Sequence, residues 1–259
     1  MHKTSKKNLS KRLTSLNIPP SSIIMIHSSL LRFGIFEGGV EGFFNCIMDS
    51  LRGDCTVLMP AFNSNFEKTR KWFACKTKSE AGILTEYFRG LPNTVRTIHP
   101  FHSVIAYGKF ADDFLQCRSQ SSFGKDSVFD LLLKLNAYNL SLGVGFVGGA
   151  TFVHHVEEVC QVPYRHYKEF PGDVYDLEDK RISQVFRMYV RKITDFYEYE
   201  NNWERAFKDL SNENCFQIDF LNIAEIMLSS IKYTSNILMG YINEDPFYAA
   251  RKVEKNNEI

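Results

Sequence analysis

The sequence has no Cys-x-x-Cys pair. Its six cysteines (Cys46, Cys55, Cys75, Cys117, Cys160 and Cys215) are scattered over 259 residues and read as reduced thiols, not as a disulfide framework. No run of about 18 apolar residues occurs, so nothing reads as a membrane span. The opening MHKTSKKNLSKR is basic but has no apolar segment behind it. That removes the secretory-signal reading, leaves a short surface helix, and makes a cytoplasmic location the expectation. Lys and Arg number 31 against 30 Asp and Glu, a net charge of +1, so the basic excess of a nucleic-acid-binding domain is missing. There is no G-x-S-x-G nucleophile elbow, no internal repeat and no low-complexity linker.

Apolar residues make up 44% of the chain, with 22 Phe and 12 Tyr, which suits a globular protein with an aromatic-rich core. Ser22 to Ile26 and Cys55 to Phe62 are short β-branched or apolar runs and read as buried strands. Between them, the segment from Val40 has helical spacing and ends on Gly53, a C′ glycine. Gly38-Gly39 ahead of it is either a turn or a place where backbone amides approach a phosphate. Asn63 to Ser79 is polar and lysine-rich and reads as a solvated loop or lid. Ala81 to Leu91 and Ser127 to Leu135 read as amphipathic helices, and Ser103 to Tyr107 and Leu140 to Val144 as strands. Beyond Pro163 the pattern predicts antiparallel strands over Lys168 to Tyr175 and Val185 to Ile193, and a helix over Trp203 to Leu210. Helical or mixed segments follow over Ile223 to Ile231 and Asn236 to Ile242, and a last helix opens at Asp245-Pro246. These elements predict an α/β fold, becoming α+β in the C-terminal third, with a central mixed sheet flanked by helices. One domain is expected over 1–259, with an α/β core over 1–162 and an α+β subdomain over 163–259 packed on it.

The stretch most suggestive of chemistry is GVGFVGGATFVHHVEEVCQ, from Gly143 to Gln161. A strand ends in glycines that read as a flexible crossing, and a helix starts at Thr151, a candidate N-cap. His154 and Glu157 are three residues apart, so they share a helix face. His154 falls in the first turn, where the positive end of the helix dipole favours a neutral imidazole, the form a general base needs. His155 and Glu158 repeat the spacing one residue on and face elsewhere. A zinc site would need a third ligand, and none is marked nearby; no metal is expected. Small hydroxyl residues at the end of the first strand, His27-Ser28-Ser29, stand where open α/β sheets place ligand groups.

In chain order, HSSL at His27 to Leu30, Gly38-Gly39, TVLMPAF at Thr56 to Phe62, G-x-L-x-E-x-F-R at Gly82 to Arg89, VRT-x-HP-x-HSV at Val95 to Val104, and LGVG…T-x-x-H-x-x-E from Leu142 to Glu157 resemble the aminoglycoside 3-N-acetyltransferase family. The likeness is good over about residues 10 to 162 and loose beyond. No R/Q-x-x-G-x-G/A loop of the small acetyltransferase fold is present. The resemblance implies acetyl transfer from acetyl-CoA to an amine of an aminosugar or aminocyclitol, without metal or nucleic acid, and leaves a homodimer open. It implies His154 as the catalytic base with Glu157 orienting it. His27, Ser28, Ser29, Arg96 and Ser103 are candidates for holding CoA, and His99, His102 and Thr151 for shaping the substrate pocket. Ala150 and Gly148-Gly149 replace residues that are more polar in aminoglycoside-modifying members. That departure admits a nucleotide-linked amino sugar as acceptor, or a silent binding protein of the same fold.

Overall fold

The computed structural model describes residues 2–51 and 54–255; Gly53, read above as a helix-ending glycine, lies outside them. Seven strands form the central sheet: β1 (Ile23–Ser28), β2 (Thr56–Pro60), β3 (Val95–Arg96), β4 (Val104–Tyr107), β5 (Tyr138–Leu142), β6 (Phe216–Leu221) and β7 (Ala224–Ser230). Their order is β6-β7-β5-β1-β2-β4-β3. β1 runs parallel to β2 and β5, and the outer pairings are antiparallel. The sheet is mixed and flanked by helices, as the expected fold class has it.

Because successive side chains point to opposite faces, each strand feeds two cores. Ile24, Ile26, Leu140 and Leu142 pack with Leu9 and Leu13 of α1 (Lys6–Ser15), Phe43 and Phe44 of α2 (Gly39–Ser50), and Leu84 and Phe88 of α3 (Ile83–Arg89). Met25, Leu58 and Met227 face the other way. There they meet α4 (Val128–Lys134), α5 (Gly145–Gly149), α6 (Phe152–Val159), α7 (Trp203–Asn212) and α8 (Ile231–Glu244). The α4 helix starts where the sequence placed it, with Ser127 Oγ accepting from Asp130 N at 3.3 Å, a side-chain cap for an otherwise orphan donor.

Four expectations change. Asn63 to Ser79 is not a solvated insertion: Trp72 and Phe66 are buried in a third cluster with Phe101, Phe170, Val174 and Phe186. Lys71–Phe73 pairs in parallel with Asp173–Tyr175. The glycines after β5 form the helix α5 instead of a flexible crossing. Ile223 to Ile231 is the strand β7, whose apolar run lies inside the sheet. Asp245-Pro246 opens no helix; the chain turns there, and Ala250–Glu254 pairs antiparallel with Tyr197–Asn201. Of the antiparallel strands expected beyond Pro163, the second falls at Phe186–Arg191 and pairs antiparallel with Arg165–Phe170 as a hairpin, so the first strand starts and ends earlier than Lys168 to Tyr175. All six cysteines are free, and no helix among the described residues is long and apolar enough to cross a membrane.

Candidate active site

Helix α6 turns one face toward the hairpin and α7. Glu157 on that face is fully buried (0% side-chain exposure) and reaches back one turn, so that its Oε2 lies 2.6 Å from His154 Nδ1. The same oxygen takes Arg165 Nη2 at 2.9 Å, and Oε1 accepts from the Tyr164 hydroxyl at 2.8 Å. Burial by itself would push this carboxyl up. The His154 hydrogen bond, the charge of Arg165 and the Tyr164 hydroxyl outweigh it, and the carboxyl sits below its ordinary range. Burial and the neighbouring Glu157 raise the Tyr164 phenol, which therefore stays a donor. In a neutral imidazole, a carboxylate that receives Nδ1–H leaves Nε2 as the basic nitrogen. The His154 side chain is 29% exposed and its Nε2 has no hydrogen-bond partner among the described residues. The ring is held between Phe123, centroids 5.2 Å apart, and Trp203 at 5.6 Å. With Phe146, Val147, Ala150, Thr151 and Val153, His154 and Trp203 line a small cavity.

His155 and Glu158, the competing pair, face the next sector. His155 is buried and its Nδ1 donates to Phe123 O at 2.6 Å. Glu158 is tied to Ser121 Oγ at 2.8 Å and to the Tyr167 hydroxyl at 3.2 Å. A cavity of about 640 Å³ opens beside Glu158 and Val159 and does not include His154. His155 Nε2 faces Asp130 Oδ1 at 4.0 Å from a side chain only 3% exposed, so of the two pairs it is His154 and Glu157 that present a nitrogen to solvent.

The remaining predicted residues separate into those near His154 and those elsewhere. Thr151 lies one turn before His154, but it gives its helix no side-chain cap; its Oγ1 is 3.0 Å from His27 Nε2. His27 is buried, and Thr151 is the side chain its Nε2 reaches. Ser28 and Ser29 sit at the carboxyl end of β1, where their hydroxyls have no partner among the described residues. His102 packs on Phe123, ring centroids 4.6 Å apart, and its Nδ1 is 2.8 Å from Ser122 Oγ. His99 lies a layer deeper, its Nδ1 accepting from His102 N at 3.1 Å. Burial pushes His99 down to about 3 and His102 well below the usual histidine range, so both stay neutral.

Arg96 and Ser103 do not stand as phosphate ligands. Of the five N–H groups a guanidinium carries, Arg96 has four engaged by the protein. Nε donates to Ser103 Oγ at 3.0 Å, Nη2 to Ala61 O at 3.0 Å, and Nη1 to Ala74 O and Thr77 O. The guanidinium also stacks on Trp72, and Ser103 is completely buried. Together they pin the 61–77 segment to the sheet. Tyr164, Arg165, Phe123 and Trp203 were not anticipated. Tyr164-Arg165 follow the helix after Pro163, but no spacing rule connects them to Glu157. Among the described residues no group of three or more His, Cys, Asp or Glu side chains is placed to hold a metal ion.

Known proteins resemble this chain in sequence and in fold. YokD, the SPbeta prophage-derived aminoglycoside N(3')-acetyltransferase-like protein of Bacillus subtilis (strain 168), is 23% identical over 205 residues, 70% of this chain and 74% of its own. Aminoglycoside N(3)-acetyltransferase III of Acinetobacter baumannii is 23% identical over 181 residues, 62% of this chain and 63% of its own. The crystal structure of the aminoglycoside acetyltransferase AAC(3)-Xa superposes with a TM-score of 0.80 at 18% identity, covering 93% of each chain. AAC-IIIb in binary complex with CoASH also scores 0.80, at 16% identity, over 94% of this chain and 97% of its own. These structures share the fold. The sequence model for aminoglycoside 3-N-acetyltransferases matches residues 25–235, and the chain, an acyltransferase, belongs to that family.

Proposed function

We propose that this chain transfers the acetyl group of acetyl-CoA to an amine of an aminoglycoside, with His154 as general base and Glu157 as the residue that orients it. The observation that carries the reading is the imidazole with Nδ1 held at 2.6 Å by a buried carboxylate and Nε2 left open. An amine that arrives as ammonium must lose a proton before its lone pair can attack. His154 Nε2 takes that proton, and Glu157, kept ionised by Arg165 and Tyr164, stabilises the imidazolium that results. His154 releases that first proton to solvent; as the C–N bond forms its Nε2 takes a second proton from the nitrogen, the C–S bond breaks with its electron pair left on sulfur, and His154 gives this second proton to that thiolate.

Neighbouring structures with the fold support both substrates. AAC-IIIb was crystallised with CoASH, and AAC(3)-IVa with a gentamicin and with apramycin. In this chain the free hydroxyls of Ser28 and Ser29 fit the pantetheine of acetyl-CoA, while Arg96 does not fit its phosphates because its donors are engaged. The free thiols and the need for acetyl-CoA suit a cytoplasmic enzyme, and the chain is taken to work as one domain.

The test is release of CoA thiol from acetyl-CoA, measured against a panel of aminoglycosides and a panel of nucleotide-linked amino sugars. Turnover with aminoglycosides is expected. Turnover with the second panel alone would replace the acceptor. No turnover with either would overturn the reading.

A further inference from the structure

His27 is a buried histidine that the proposed reaction leaves without a task, and it touches a residue of the His154 cavity. The parallel register of β1 and β5 aligns Met25 with Asn139 and His27 with Ser141. His27, Asn139 and Ser141 therefore share the sheet face beneath α5 and α6. Two buried atoms there have no close partner: His27 Nδ1 and Asn139 Oδ1. Nε2 is engaged, 3.0 Å from Thr151 Oγ1. Burial pushes the His27 ring down to about 4, against the pull of the Asn139 side chain, so the ring is neutral and has a single N–H. A neutral imidazole donates from one nitrogen and accepts at the other, and an amide oxygen only accepts. Buried polar atoms are nearly always matched. The arrangement that matches most of them places the proton on Nδ1, toward Asn139. Nε2 is then an acceptor, and Thr151 must direct its single proton to it. Only lone pairs remain on Thr151 Oγ1, and Thr151 lines the same cavity as His154.

We propose that Asn139 and His27 fix the Thr151 hydroxyl as a hydrogen-bond acceptor, and that Thr151 thereby holds an N–H of the attacking amine beside His154. This rests on the reading of His154 as the base. Thr151 is the group that touches substrate; His27 and Asn139 are positioning residues acting through it. The incoming ammonium has N–H groups for both partners, one directed at His154 Nε2 and one at Thr151 Oγ1, which aims the nitrogen lone pair once His154 has taken its proton. A hydroxyl fixed this way cannot donate to the thioester oxygen, so the contact selects the amine and not the acetyl group.

Two measurements on the intact protein test this. In 15N NMR of the histidine side chains, His27 should remain neutral in the Nδ1–H form from pH 5.5 to 8; an Nε2–H form, or titration within that window, overturns the relay. In kinetics, Thr151→Val should lower kcat/KM for the amine by about 10- to 100-fold, the scale of a lost hydrogen bond to a charged group, mostly through KM. Its acetyl-CoA Kd should stay within about twofold of wild type, and Thr151→Ser should recover most of the activity. Asn139→Leu should reproduce the Thr151→Val loss with Thr151 intact. A Thr151→Val enzyme with wild-type kcat/KM, or a Thr151→Ser enzyme as impaired as Thr151→Val, sinks the proposal. His154→Ala is assayed in parallel. If it keeps acetyl transfer, the reading of the site has failed; if it is inactive while Thr151→Val is normal, only the relay has.

Discussion

Arg165 and His154 share one oxygen: Nη2 of the first is 2.9 Å, and Nδ1 of the second 2.6 Å, from Glu157 Oε2. Two donors converge on a carboxylate with no solvent contact, and each depends on the other to keep it ionised. Removing one partner of a buried ion pair leaves an uncompensated charge, which costs about 3–5 kcal/mol. Arg165→Leu should therefore lower the unfolding free energy by about that amount in urea titrations. A loss under about 1 kcal/mol would mean that Arg165 behaves as a surface charge.

The two adjacent histidines of α6 should separate cleanly. His154→Ala should lower kcat by about 100-fold or more, the usual scale of general acid–base catalysis. His155 donates to Phe123 O inside the core. Its removal orphans that carbonyl and should cost about 1–3 kcal/mol of stability, with kcat per folded molecule within a few fold of wild type. The opposite ranking in a paired kinetic and unfolding experiment would transfer the base to His155.

Much of the sheet was legible because its strands are apolar runs bounded by turn residues; Ile23–Ser28 and Thr56–Pro60 fall within a residue or two of where the pattern put them. The His154–Glu157 pair was legible because helical spacing alone brings residues three apart together. What was not legible depends on distant partners. Trp72 looked like part of a solvated loop because the residues that bury it, Phe170, Val174 and Phe186, are about a hundred positions away. Arg96 looked like a free cation because its acceptors are main-chain carbonyls at 61, 74 and 77, which no side-chain motif announces. Arg165 meets Glu157 only through the turn at Gln161, whose φ is +49°.

Arg96→Lys tests the structural role directly. Lysine is a point charge with a round set of donors and cannot reproduce four divergent bonds or the stacking on Trp72. The variant should lose about 2–4 kcal/mol in chemical denaturation, a fraction of the strength of several charge-assisted bonds, and its acetyl-CoA Kd should stay near wild type. A selective loss of acetyl-CoA affinity with unchanged stability would restore the phosphate-binding role.

The buried histidines make stability depend on pH with a definite sign. Burial holds His27 at about 4 and His99 at about 3, with His102 also depressed, against 6.5 for an unperturbed ring. As pH falls below 6.5 the unfolded chain takes up protons at these sites and the folded protein does not. Stability then drops with pH, by at most about 1.4 kcal/mol per pH unit for each ring. The contribution is complete above pH 6.5 and is lost progressively toward pH 4 and below. Glu157, whose carboxyl lies below its usual range, adds a further loss at the acid end. Denaturation midpoints measured from pH 7.5 to 5 should fall steeply, and His99→Gln should flatten the slope; a constant midpoint across that range would rule out buried neutral histidines.

Gly149 explains why the helix before the His154–Glu157 pair closes so near the sheet. A Cβ there would collide with Ser141 Oγ and lie 2.9 Å from Ser141 Cβ, so α5 rests on β5 through a bare backbone. Alanine at 149 must push α5 outward, and the strain of overpacking is typically about 1–3 kcal/mol. Because α5 lines the cavity with His154 through Phe146 and Val147, the displacement should also raise KM for the amine. Both effects trace to one contact, so they should disappear together when the opposing side chain is removed. The Gly149→Ala, Ser141→Gly double variant should recover stability and KM relative to Gly149→Ala alone, with a coupling energy of about 1 kcal/mol or more. Additive losses in that cycle would show that the close approach of α5 to Ser141 does not hold the cavity in shape.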